Sequence, residues 1–226
     1  MSLAGQTALM ARKDLRIEAR GRYALGAALP FAGTLLIAFG LSLGPGRSLL
    51  EQTAPGLLWL AVLFSSVLSF RQAYEAEGED GALETLVLAP VDRAAIYLGK
   101  ALAVALQLLV LEAIVIALVA ALFDLSLVGA PLTLAAAFVL GTIGLVAVGS
   151  LFGVLNESPK ARESVVPLLI LPLATPVLVA GVKATALATG GSGGGPQAAS
   201  WLGLLVAFDA MFLAAGTLVF GYLLED

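Results

Sequence analysis

The sequence predicts an all-α, polytopic membrane protein: six transmembrane helices, an N-terminal interfacial helix and a short cytoplasmic coupling helix between spans two and three. Three observations carry this. The 226 residues are 60% hydrophobic and 12% charged, where a soluble domain holds about 45–50% apolar and about 25% charged residues. The apolar residues fall in blocks of about 20, the length that crosses a bilayer core as helix. Lys and Arg gather in alternate gaps between the blocks. At this length residues 1–226 read as one membrane domain.

The first block runs from Tyr23 to Leu43 without a charge. Charges run up to Arg22 before it, so it reads as a retained span and not as a cleavable signal. The second, Pro55 to Phe70, is short enough to suggest a re-entrant segment. The third runs from Ile96 to Phe123 and the fourth from Pro131 to Leu155. The fifth, Val165 to Val182, contains Pro167, Pro172 and Pro176, which predict a kinked or broken helix. The sixth is Trp201 to Leu224.

Charge settles the doubtful second span. With six spans and the N-terminus inside, the inner side holds ten cations: Arg12, Lys13, Arg16, Arg20, Arg22, Arg71, Arg93, Lys100, Lys160 and Arg162. The outer side holds Arg47 and Lys183. Removing the second span gives six against six. The positive-inside bias therefore requires that span, and places both termini in the cytoplasm of a cell whose inner membrane holds the chain. Within residues 1–22, Leu3, Met10 and Ile17 recur on one helical face, and Arg12, Arg16 and Arg20 on another. That pattern fits a helix in the membrane interface with its cations toward anionic lipid.

Several function classes drop out. The net charge is −4, which gives no basic footprint for nucleic acid. Cysteine and histidine are absent, so no thiol nucleophile, histidine base or Cys/His metal site is available, and no catalytic or metal-ligating residues are assigned. No GxxxxGK[ST] occurs, so this chain has no ATP-binding P-loop of its own. The GGSGGGP run in the loop from Ala184 to Ser200 reads as a flexible outer loop.

The longest inner loop, Arg71 to Lys100, carries Glu75, Glu77, Glu79, Asp80, Glu84 and Asp92. After Gly81 a short helix-like run ends before Pro90, with Leu83, Leu86 and Val87 on one face. Asp92 is placed to cap the third span. An acidic amphipathic segment is repelled by the negative inner leaflet. It suits the groove of a cytoplasmic partner.

The segments KDLRIEAR (Lys13–Arg20), APGLLW (Ala54–Trp59), EAEGEDGALETLVLAPVDRAAIYLGK (Glu75–Lys100) and LLILPLATPVLVAG (Leu168–Gly181) carry a resemblance. In that order they resemble the B-type heme-exporter permeases of the bacterial cytochrome c maturation system, within the type-2 ABC exporter permeases. The loop from Asn156 to Ser164 and the Gly-rich outer loop depart from that pattern. The resemblance implies a permease subunit acting in heme export or delivery, with no cofactor bound by this chain. ATP would act only through a separate cytoplasmic ABC ATPase docked on Glu75 to Pro90 and Arg93. A tryptophan-rich, heme-handling membrane subunit and a second permease copy are the other implied partners, beside membrane lipid. Heme would be the transported or delivered ligand.

Two acids fall inside the hydrocarbon layer. Glu112 lies about 18 Å along the helix from Lys100, and Asp209 lies inside the sixth span. Each must face protein or water. Gln107, Thr142, Ser150, Thr175 and Thr217 are the neutral partners available. The acids either line a substrate or proton path or join helices by hydrogen bonds. Gly149 and Gly153, and Ala137 with Gly141, have the spacing of close helix contacts, within the chain or between copies. The three prolines of the fifth span mark a hinge or an outer gate. The rival functions are a type-2 ABC permease for a drug, lipid or glycan, a secondary transporter, which would show internal repeats, and an intramembrane enzyme, for which no nucleophile–base pair appears.

Overall fold

A computed structural model describes residues 2–21, 23–79, 92–125, 127–155, 159–190 and 195–223. Among them there are seven helices and no strand. They are α1 (Leu3–Gly21), α2 (Tyr23–Leu43), α3 (Arg47–Glu79), α4 (Arg93–Phe123), α5 (Pro131–Leu155), α6 (Pro159–Thr189) and α7 (Gly195–Leu223). Helices α2 to α7 are each long and apolar enough to cross a membrane, so the six expected spans are present.

Their burial sorts them into layers. Helices α3 and α5 are the most enclosed, whereas α2 and α7 lie mostly at the periphery. Helix α3 packs against α2, α4, α5 and α6, and α5 against α3, α4, α6 and α7. The core runs through Leu58, Trp59, Val62, Leu108, Leu111, Leu145, Ile170 and Leu205. Helix α4 shows how one span serves two solvents. Leu102, Leu106, Val110, Ile114, Leu118 and Leu122 form an exposed stripe at four-residue spacing. Val104, Leu108, Leu111, Val115 and Val119 are buried on the opposite face. Both faces are apolar because lipid is as apolar as the core.

Three expectations need correcting. The helix of the second span, expected over Pro55 to Phe70, is longer: α3 runs for 33 residues, from Arg47 to Glu79. Its first turn is held by a salt bridge from Arg47 to Glu51 at 3.0 Å, a favourable i,i+4 pair. Polar residues at that start hide its length, since hydropathy sees apolar runs and not helix ends. Second, the loop expected over 71–100 is mostly helix at both ends, because α3 continues to Glu79 and α4 begins at Arg93. The stretch RQAYEAEGE is rich in good helix formers and has no reason to unwind on leaving the membrane. Third, α6 is not broken at Pro167, Pro172 or Pro176, since it is one helix over its 31 residues. Each proline removes one N–H, and the neighbouring turns hold the helix. Beside two of these prolines the Thr175 hydroxyl donates to the Leu171 carbonyl at 3.3 Å.

The short connections draw one end of the bundle together. Gly44, at φ +74°, stops α2 in the left-handed conformation that glycine adopts freely. The Gly46 carbonyl then accepts from the Leu49 and Leu50 amides to open α3. Asp124 ends α4 with φ 53°, and its carboxylate pairs with Arg47. Arg47 thereby ties the α2–α3 turn to the end of α4.

Candidate functional site

Two places in the bundle hold polar groups that packing alone does not require. The first is the start of α4, where the chain emerges from the acidic segment. Asp92 is the N-cap, as its position in the sequence suggests: its side chain accepts from the Ala94 amide at 2.9 Å. Its own amide donates to Gln6 Oε1 of α1 at 3.0 Å. Helix α1 lies along the first turns of α4, and Gly99 is the notch that admits it. A methyl group there would collide with Met10 and stand 3.0 Å from the Thr7 carbonyl. The helix expected before the first span is therefore present and seated on the third. Nothing in the sequence around Gln6 signals this contact.

Of the residues named for docking, Glu75, Glu77 and Glu79 lie on the last turns of α3 and Arg93 is the first residue of α4. Asp80, Gly81, Leu83, Glu84, Leu86, Val87 and Pro90 lie outside the described residues. What the structure supplies is their frame, since both ends of that segment continue without interruption into membrane-spanning helices.

The second place is the middle of the bundle. Glu112 is 1% exposed. The Thr142 hydroxyl lies 2.7 Å and 2.8 Å from its two carboxyl oxygens. That hydroxyl also lies 2.8 Å from the Phe138 carbonyl. A threonine hydroxyl has one proton to give, and three acceptors surround it. If the Glu112 carboxyl carries a proton, its O–H donates to the Thr142 oxygen and the Thr142 hydroxyl donates to the Phe138 carbonyl, so both protons have an acceptor. Of the five neutral partners the sequence offers, the fold selects Thr142.

Asp209 is 5% exposed. Among the described residues neither of its oxygens has a hydrogen-bond partner. It lies against Gly144 of α5, where a methyl group would stand 2.7 Å from its Oδ1 and 2.9 Å from Val177. Glu112 and Asp209 thus meet the same turn of α5, at Thr142 and Gly144, positions about 200° apart around a helix.

Around this turn the glycines act as sockets. Gly141 and Gly181 flank the Trp59 ring, and a methyl group at either would overlap it. Trp59 is fully buried, stacks on Phe138 with ring centroids 5.3 Å apart, and donates its indole N–H to Thr185 Oγ1 at 2.9 Å. One side chain of α3 thereby locks α5 and α6. The need of a buried indole for a partner is the signal the sequence holds for this contact. Gly149 receives Phe70 of α3, so this small-residue contact lies within the chain. The side-chain surroundings of Gly153 and Pro167 lie outside the described residues. Pro172 and Pro176 are on the exposed side of α6. Further along, the Tyr97 hydroxyl donates to the Ala147 carbonyl at 3.4 Å, and Gly216 of α7 closes over its ring. Among the described residues no cluster of acids is arranged to hold a metal ion.

Comparison with known proteins points one way. The family model described as CcmB protein matches residues 6–225. The chain is 33% identical over 177 residues to "Heme exporter protein B" of Pseudomonas aeruginosa, covering 76% of this chain and 77% of that one. It is 35% identical over 181 residues to the protein of the same name from Rhodobacter capsulatus, covering 78% and 80%. With that of Paracoccus denitrificans it shares 32% over 209 residues, covering 91% and 88%.

Proposed function

The chain belongs to the CcmB protein family, and from that premise we propose that it is the membrane permease subunit of an ABC transporter acting in heme export or delivery for cytochrome c maturation. The observation that carries the reading is the match of residues 6–225 to the family model, beside relatives named heme exporter protein B that cover 76% to 91% of the chain. A separate cytoplasmic ATPase binds and hydrolyses ATP. It docks on Glu75 to Pro90 and Arg93, with the acids meeting cations and Leu83, Leu86 and Val87 entering a groove. The frame of that segment supports this. Closure of the ATPase would move the inner ends of α3 and α4 together, and both run unbroken into the bundle. Rigid helices pass such a displacement on because packed interfaces shift between discrete states. The Asp92–Gln6 contact makes α1 move with α4. In the midplane α3 carries Trp59 and α4 carries Glu112, so both locks would feel the movement.

Two further partners belong to this reading. A tryptophan-rich membrane subunit handles heme, since the chain has no histidine or cysteine to ligate its iron. A second permease copy covers the face of α6 where Leu171, Pro172, Thr175 and Pro176 are exposed. Pro176 has no N–H for the Pro172 carbonyl, and a carbonyl freed in the membrane needs protein or water beside it.

Complementation tests the proposal. In a bacterium lacking its own permease of this family, this chain should restore c-type cytochromes that stain for covalently held heme. The Leu83→Asp/Leu86→Asp variant should not, although it reaches the membrane at the same level. Normal cytochromes c in the host without any such permease would contradict the assignment.

A further inference from the structure

Where α6 and α7 diverge, a cleft of about 630 Å³ is lined by Lys183, Ala186, Leu187, Gln197, Ser200 and Trp201. The spacing explains its shape. Lys183, Ala186 and Leu187 are one face of the last turns of α6, and Gln197, Ser200 and Trp201 repeat the same i, i+3, i+4 pattern on the first turns of α7. Lys183 is the only charged residue between Glu163 and Asp209. It lies about 9 Å along the helix from Thr189, is exposed, and has no ion pair among the described residues. The amides of the first turn of α7 have no partners within their helix, and that end of the helix dipole is positive. One cation, a positive helix end and two neutral hydrogen-bonding side chains thus meet an indole and two apolar side chains.

We infer that this cleft is a binding site for an anionic amphiphile. Its acidic group sits beside Lys183 and the α7 amides, and its apolar body lies on Ala186, Leu187 and Trp201. A charge-assisted hydrogen bond from an ammonium suits either a phosphate or a carboxylate. The ligand is therefore an anionic phospholipid headgroup or the propionate edge of a porphyrin. The site stands independently of the transport reading, and only the second source would connect the two.

The test uses the whole chain in phosphatidylcholine nanodiscs. Phosphatidylglycerol is added in one arm, mesoporphyrin and its dimethyl ester in another, with tryptophan fluorescence as the readout. Trp201→Phe assigns the signal, since the remaining tryptophan, Trp59, is buried. Saturable binding should weaken about tenfold or more in Lys183→Ala and survive in Lys183→Arg. Both variants should melt like the native chain. Phosphatidylglycerol alone saturating the signal assigns a lipid headgroup; mesoporphyrin doing so while its ester does not assigns a carboxylate pigment. Either result supports the site. Saturation by neither, or equal binding in Lys183→Ala, would mean a lysine reaching for water at the membrane surface and would overturn it.

Discussion

At the scale of single residues, Glu112 and Asp209 are both buried acids, but their surroundings differ. Glu112 has Thr142 within 2.8 Å of each oxygen, and Asp209 has no partner among the described residues. Thr142→Val should therefore lower stability by about 1 kcal/mol, the scale of a hydrogen bond between membrane helices. Thermal unfolding in detergent reads it, and an unchanged melting temperature would mean the contact contributes nothing. Glu112→Gln keeps a donor and an acceptor in the same volume. If the carboxyl acts as a neutral donor throughout, this variant should assemble and function as the native chain does. Lost activity in an intact complex would instead give its proton a role. Gly149→Val tests the sockets. The added methyls collide with Phe70, and overpacking costs about 1–3 kcal/mol. A variant that melts normally would mean α3 and α5 do not meet this way.

Helices pose a different problem, because their ends and contacts are harder to read than their existence. The fourth span is legible to the residue, and so is the Asp92 cap. Both are marked by residues with strong local roles: a proline at a helix start and an aspartate one residue before one. The beginning of α3 is not legible, because Arg47, Glu51 and Gln52 interrupt the apolar run while remaining helical. Nor is the continuity of α6, since the effect of a proline depends on what its neighbours supply. The socket of Trp59 is hidden for another reason. A span that faces lipid on one side and core on the other is apolar all round, so the helical period that marks a buried face vanishes. The polar residues that find partners, Thr142 and Thr185, are visible in the sequence; which helices they join is not. At this scale the prediction concerns the start of α4. Asp92→Ala should cost about 0.5–2 kcal/mol at that helix end, and Asp92→Asn should retain most of it. Hydrogen exchange in the first turn of α4 should quicken in the alanine variant, and unchanged protection there would contradict the cap.

The whole molecule joins the acidic segment between α3 and α4 to a bundle whose two innermost helices, α3 and α5, are locked by ring-in-glycine contacts. The sequence carries no GxxxxGK[ST], and among the described helices α3 and α4 have the longest stretch of sequence between them. The family relation and the frame of that segment support the same division of labour, with ATP bound elsewhere and its effect entering through α3 and α4. That division is the central claim, and co-purification tests it most directly. The native chain and Leu83→Asp/Leu86→Asp are extracted in mild detergent, and the proteins retained by each are identified. An ABC ATPase should accompany the native chain and be lost from the variant, while both retain the same helical content. A native chain that brings no ATPase, or a variant that keeps it, would contradict the account.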